Sequence, residues 1–467
     1  MLFNSLDFPV FLGLTWLVWR VVHLWRLPRL LWLLLTSAFF YGCWEPWYLW
    51  LVAISITMQY ATGELIRRAD TEASRKLWLF LGITGDVALL SVFKYGNFLL
   101  ESAAAVATLV GHPIVAPRLE VELPVGISFY TFQGLSYTID VYRRRIPPAR
   151  GFLEFAVYVL FFPQLVAGPI VRAADFLPQL DQRPRTETAA LGAGIFLILS
   201  GLIKKMVLAD TISAWWVAPF FARPVGHNTV EVLTTIWAAN FQVYCDFSGY
   251  SDVARGAAML FGFSLPINFD RPFWSTTPME HWRRWHISLS TWLKDYLYLP
   301  LGGSRLGAAR TDLNLVITFF IGGVWHGAGW TFVVWGFYNG LLLVLWRRFG
   351  PREAVSRIGK VIQAFVTFNS ICLGLILLHA HSFADAWAVF LGLLRPLSPF
   401  GDVLKPAGVL AFGVAVLLHL TPQRWKLDLE RGFGLAPSYA VALVVVLVGS
   451  GLALFGNMAE PFFYFQF

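Results

Sequence analysis

Charge is scarce in this 467-residue chain: Asp, Glu, Lys and Arg together fill only 14% of positions, where soluble domains carry about 25%. So little charge cannot cover a water-facing surface of this length, and with 57% of residues hydrophobic the composition is that of an integral membrane protein. Cysteine is nearly absent as well. Cys43, Cys245 and Cys372 are widely spaced, odd in number and set among apolar residues, which excludes a disulfide framework and gives no zinc-site spacing. No phosphate-cradling Gly-rich loop, Gly-x-Ser-x-Gly elbow or His-Glu-x-x-His pair occurs, so soluble ATPase and hydrolase readings fail. Tandem repeats and low-complexity tracts are also missing. The first residues lack the basic stretch and small-residue cleavage site of a signal peptide, and residues 8–22 read as a retained first helix.

What is present is apolar sequence from end to end, punctuated by basic clusters. The net charge of +8 is accounted for by cytoplasmic loops, which are rich in Lys and Arg whatever the protein binds, and nucleic acid is not an expected partner. Arg20 to Arg29, Arg67 to Lys76, Arg143 to Arg145, Arg347 to Lys360 and Gln423 to Arg431 mark one side, and the alternation between them places both termini outside,. The expected architecture is one all-α, polytopic bundle over residues 1–467 with about ten to twelve crossings. Pro163, Gly168 and Pro169, and the glycines between Leu299 and Gly307, predict re-entrant or broken segments, which membrane depth tolerates only where protein or water satisfies the backbone. Residues 313–346 form an apolar run that would measure about 51 Å as one helix, too long for one crossing. Basic residues at both of its ends predict a hairpin or bent pair, with Gly322-Gly323 and Gly327-Ala328-Gly329 as the bend and His326 at or near it.

His326 is the sharpest feature, because a polar ring in an apolar run must be satisfied by neighbours or kept for chemistry. Upstream lies a dense block, Glu280-His281-Trp282-Arg283-Arg284-Trp285-His286, running to Lys294-Asp295-Tyr296. At 3.6 residues per turn, Trp282, Trp285, Leu289, Trp292 and Tyr296 share one stripe, and Arg283, His286, Ser290 and Lys294 another. The aromatic stripe suits an interfacial belt or a packing face; the polar one suits a solvated face or a funnel for an anionic cosubstrate. Asp246, in Asp246-Phe247-Ser248-Gly249-Tyr250-Ser251-Asp252, is an intramembrane carboxylate and so a functional candidate. It and Asp252 have no third ligand nearby, and no metal site is expected.

These residues together resemble the membrane-bound O-acyltransferases, most of all the bacterial branch that includes alginate O-acetyltransferase membrane subunits. The matching runs are Asp246 to Asp252, Trp282-Arg283-Arg284-Trp285-His286-Ile287-Ser288-Leu289-Ser290, Asp295-Tyr296-Leu297-Tyr298, Pro300-Leu301-Gly302-Gly303 and Trp325-His326-Gly327. Phe162 to Ile170, Lys204-Lys205, Ala209-Asp210 and the terminal Phe463-Tyr464-Phe465-Gln466-Phe467 match too. The chain departs from the family at Lys294, where arginine is usual, and at Leu375 to Ala380, which lacks the usual Trp-x-Phe-Phe-Arg-Ala pattern. The resemblance implies a helical bundle around a central tunnel, with core motifs over about residues 123–346 and a periplasmic tail at 457–467. It makes His326 and His286 the catalytic pair and Tyr464 a possible acyl relay, with Asp246, Asp295, Ser290 and Trp325 in support. Arg283, Arg284, Lys294 and Arg305 would then attract the phosphates of acetyl-CoA.

The function expected on this basis is transfer of acetyl from cytoplasmic acetyl-CoA across the bacterial inner membrane to hydroxyls of an exported, alginate-like polysaccharide. The expected partners are a periplasmic SGNH-hydrolase-like acetyltransferase, the glycan and membrane lipids. Peptidoglycan, cellulose or another envelope glycan is an alternative acceptor. A transporter or scaffold subunit of an export complex is the rival class; broken helices suit it, while the lack of paired repeats and the few intramembrane carboxylates speak against it.

Overall fold

The computed structural model describes the chain except residues 166–167, 185–186, 352–353, 355, 397–403, 456–459, 461 and 464–467. The described residues contain helices and no strand. In chain order the helices are α1 Asp7–Val22, α2 Arg26–Gly42, α3 Pro46–Arg68, α4 Glu72–Leu109, α5 Ile127–Tyr142, α6 Phe152–Leu160, α7 Ala173–Asp181, α8 Thr188–Ala222 and α9 Thr229–Leu260. There follow α10 Pro278–Arg284, α11 Ile287–Leu293, α12 Ala308–His326, α13 Trp330–Phe349, α14 Arg357–His379, α15 Phe383–Gly392, α16 Pro406–Leu420, α17 Gln423–Leu435 and α18 Ser438–Ala453.

Four of these, α3, α4, α8 and α14, are both long and apolar enough to cross a membrane, and α16 with α17 pass the same test only together, as a pair bent by 91°. The helices α15 and α18 are apolar but shorter. Elsewhere helices are interrupted: α11 runs on into a π-helical turn, Lys294–Tyr298, and α12 and α13 are separated by Gly327–Gly329. The expected hairpin over 313–346 is therefore present, with His326 closing its first helix.

The backbone packs as two compact units. The first is essentially Gly13–Pro184. Its helices α3, α4 and α5 pack together around buried polar links, such as Gln59 Nε2 donating to Asp86 Oδ1 at 2.8 Å. The second comprises Leu2–Leu12, Arg185–His326 and Trp330–Phe467. Its central rod is α9, started by a reciprocal cap in which Asn228 Oδ1 accepts from Glu231 N–H at 3.1 Å and Glu231 Oε2 from Asn228 N–H at 3.1 Å,. Against α9 lies α8, with Gly201 and Gly249 at the crossing. A Cβ on Gly201 would stand 2.5 Å from the Gly249 carbonyl oxygen, so only glycine permits this approach. The same device joins α12 to α13: a Cβ on Gly323 would meet the Phe332 carbonyl oxygen at 2.5 Å and Gly336 Cα at 2.7 Å. At the far end of that hairpin Asp312 is gripped by Arg347 Nε at 2.9 Å and Arg348 Nε at 2.7 Å. The position of His326 is thus fixed by a close glycine crossing and an ion-pair clasp.

Candidate active site

Within the second unit, α10, α11, α12 and α13 enclose a cavity of about 270 Å³. Its walls are mainly Trp282, Trp285, Leu289, Leu293, Phe319 and Trp335, and both His286 and His326 open onto it. The sequence pointed to these two histidines forty residues apart, and the fold brings them to one space. Trp325 sits against both: its ring lies 6.1 Å from that of His286 and 5.0 Å from that of His326. Trp335 meets the His326 ring edge-on at 4.9 Å and 90°.

His286 does not lie on a continuous helix. The 3.6-residue stripes ran unbroken from Trp282 to Tyr296, yet α10 stops at Arg284 and His286 adopts a left-handed backbone, φ 43° and ψ 56°. Tertiary hydrogen bonds enforce the break. Asp270 N–H donates to the Arg284 carbonyl and Ile287 N–H to the Asn268 carbonyl, each at 2.9 Å, so the loop before α10 replaces two helical bonds. A non-glycine residue in this region is held at a cost of about 1–3 kcal/mol and marks functional sites.

Asn268 also orients the ring. Its Oδ1 accepts from Ser288 N–H at 3.1 Å and Ser288 Oγ at 2.9 Å, and lies 3.2 Å from His286 Nδ1. A backbone N–H can only donate, so the Asn268 atom facing it is oxygen; Nδ1 of His286 therefore carries the proton, and the basic lone pair is on Nε2. Sequence reasoning missed Asn268 and Ser288. The available signal was a lone polar side chain in Pro266-Ile267-Asn268-Phe269, a turn-rich loop among apolar helices.

The other expected site residues divide. Ser290, Arg283 and Lys294 line the cavity, with both cations exposed and Ser290 Oγ donating to the Trp285 carbonyl at 3.1 Å. Arg284 turns away to pair with Glu280 at 2.8 Å. It lines a separate cleft of about 690 Å³ with Arg283, Arg357 and Lys360; the last two are cations that the sequence marks only as part of a basic loop. Arg305 lines neither space: its guanidinium donates to the Leu299 and Gly302 carbonyls at 3.4 Å each. Asp295 is half-buried off the cavity wall. Asp246 also stands off the wall, in a buried ion cluster with Lys205, 2.9 Å away. Tyr464 lies outside the described residues. Glu280, beside the second cleft, has its carboxyl held below the ordinary range: burial opposes this, but Thr276 N–H, the Thr276 hydroxyl and Arg284 outweigh it,. Among the described residues no three His, Cys, Asp or Glu side chains gather as a metal site.

The fold is that of an all-helical membrane protein, and its candidate site is a pair of histidines on an aromatic-walled cavity lined by two cations. Comparison with known proteins gives that class its family. Residues 142–354 match the membrane-bound O-acyltransferase family. The chain is 35% identical to a probable alginate O-acetylase AlgI of Pseudomonas putida, across 100% of this chain and 99% of the relative. It is 36% identical to a peptidoglycan O-acetyltransferase of Helicobacter pylori, over 78% of this chain and 73% of the relative. A teichoic acid D-alanyltransferase of Bacillus subtilis is 25% identical over 54% and 67%. The chain belongs to the membrane-bound O-acyltransferase family, and it is a membrane-bound enzyme of acyl transfer.

Proposed function

We propose that this enzyme takes an acetyl group from cytoplasmic acetyl-CoA and passes it across the bacterial inner membrane to hydroxyls of an exported, alginate-like polysaccharide, by way of a periplasmic SGNH-hydrolase-like acetyltransferase. The observation that carries the reading is the opening of His286 and His326 onto one cavity bearing Arg283 and Lys294. Its volume of about 270 Å³ is at the small end for ligand sites, which suits a slim acetyl thioester arm better than a long acyl chain. The CoA phosphates would lie toward Arg283, which borders both the cavity and the cleft of Arg284, Arg357 and Lys360.

His326 acts as general base and His286, its Nδ1 proton tied to Asn268, orients or relays through Nε2. The acceptor hydroxyl gives its proton to imidazole while its oxygen attacks the thioester carbonyl. A C–O bond forms, the C–S bond breaks, and the departing thiolate takes the proton as CoA-SH. Tyr464, on a tail facing the periplasm with both termini outside, is the hydroxyl that carries the acetyl group onward. The names of the relatives support an envelope glycan as final acceptor, with peptidoglycan the alternative to an alginate-like polymer. In purified enzyme, His326→Ala should abolish CoA release from acetyl-CoA. Unchanged release would remove His326 from the chemistry, and no release by the unaltered protein would favour a transporter or scaffold.

A further inference from the structure

A second buried polar assembly in the same unit has no part in the cavity. Lys205, Asp210 and Asp246 are 2%, 1% and 1% exposed. The Lys205 ammonium lies 2.7 Å from Asp210 Oδ1 and 2.9 Å from Asp246 Oδ1, and 5.7 Å from the centre of the Tyr250 ring. One ammonium against two carboxylates leaves an excess of negative charge and of acceptor oxygens, which is costly at this depth unless donors are supplied.

The donors come from the end of the chain. Phe463 N–H donates to Asp246 Oδ2 at 2.7 Å and Glu460 N–H to Asp210 Oδ2 at 3.4 Å. The Glu460 carbonyl in turn accepts from Asn4 Nδ2 at 3.3 Å, while Asn4 Oδ1 accepts from the Tyr250 hydroxyl at 3.0 Å. The tail therefore uses main-chain groups, independent of its side chains, to complete the cluster. Its rings follow: Phe462 lies 4.7 Å from Tyr250 and 5.2 Å from Phe247, and Phe247 lies 4.6 Å from His286. Phe463 packs on His379 at 4.9 Å.

We propose that the Lys205–Asp210–Asp246 cluster is a clamp for the C-terminal tail, holding Glu460 and Phe463 by their main-chain N–H groups, with Phe462 one aromatic ring from His286, so that the tail can serve acyl transfer. These are positioning residues: they act through the tail and do not touch the donor. The proposal rests on the acyl-relay reading above for its purpose, and on the hydrogen bonds for its geometry.

Phe463→Pro removes the N–H given to Asp246, and Phe463→Ala removes the ring while keeping that N–H. In cells of the native host, base-labile acetate on the envelope polysaccharide should fall about ten-fold or more with Phe463→Pro and far less with Phe463→Ala. CoA release from acetyl-CoA by the purified variants should fall in the same order, Phe463→Pro more than Phe463→Ala, because the accepting hydroxyl lies on the clamped tail. As a check that does not disturb the tail sequence, Asp210→Asn should speed hydrogen exchange in the 454–467 peptide without changing it in α12. Equal acetate with Phe463→Pro and Phe463→Ala, or unchanged tail exchange in Asp210→Asn, overturns the clamp. If instead His326→Ala leaves CoA release intact while Asp210→Asn loosens the tail, the clamp stands and the acyl-relay reading falls.

Discussion

Replacing Asn268 with Ala tests whether the left-handed histidine is part of the machinery. The side chain is buried, 1% exposed, and its oxygen serves three donors: His286 Nδ1, Ser288 N–H and Ser288 Oγ. The Ser288 hydroxyl can turn to another acceptor, but the backbone N–H and the imidazole N–H cannot. Stranding two buried donors costs about 1–3 kcal/mol each, so about 2–6 kcal/mol in all. His286 also loses the bond that selects its tautomer, and a catalytic group displaced by about 1 Å loses about a hundred-fold in rate. Thermal unfolding in detergent and thiol titration of released CoA measure the two effects. Asn268→Asp is the comparison, because a carboxylate still accepts from all three donors and should preserve the His286 tautomer and CoA release better than Asn268→Ala, even though the buried charge itself costs stability. If Asn268→Ala releases CoA at the unaltered rate while unfolding earlier, His286 is oriented by something else and its role in the chemistry is wrongly argued.

Charge at the cavity mouth separates the cations that were grouped together on the sequence. Arg283→Glu or Lys294→Glu should raise KM for acetyl-CoA about ten-fold at low salt and less at high salt, since exposed charges are screened within about 8–10 Å. Arg305→Ala should leave KM unchanged, because its guanidinium is spent on the Leu299 and Gly302 carbonyls; steady-state kinetics at two ionic strengths decides both. Gly323→Val should part α12 from α13, where even a Cβ would fall 2.5 Å from the Phe332 oxygen. The expected result is about 1–3 kcal/mol of lost stability with a fall in CoA release, and an unchanged melting temperature would contradict the close crossing.

The hairpin over 313–346 was legible because its evidence was additive: a run too long for one crossing, basic residues at both ends and glycines between. His286 and His326 were legible as a pair for a related reason, each being a polar group that apolar surroundings make expensive. The break at Trp285-His286 was not. Helical periodicity continues through it, and what interrupts the helix is a pair of backbone bonds from Asn268 and Asp270, residues with no distinguishing pattern beside α10. Asp246 stands out in the sequence by its cost in an apolar setting, but its partners Lys205 and Asp210 lie on the preceding helix, α8.

The two histidines are held by different supports, and that difference can be measured. His326 depends on the Gly323–Gly336 crossing and on Trp335; His286 depends on Asn268 and the loop that carries it. Trp325 touches both rings, but the two substitutions act at separate supports, so the stability losses of Gly323→Val and Asn268→Ala should add to within about 0.5 kcal/mol. Their effects on CoA release should not add. If both histidines act in one proton transfer across one cavity, displacing the second after the first is already misplaced removes little more, as in catalytic groups that work as a unit. A double variant with additive stability but clearly less than multiplicative loss of rate is the expected outcome. Fully multiplicative loss would mean that His286 and His326 serve separate steps, and that the shared cavity joins them in space but not in mechanism.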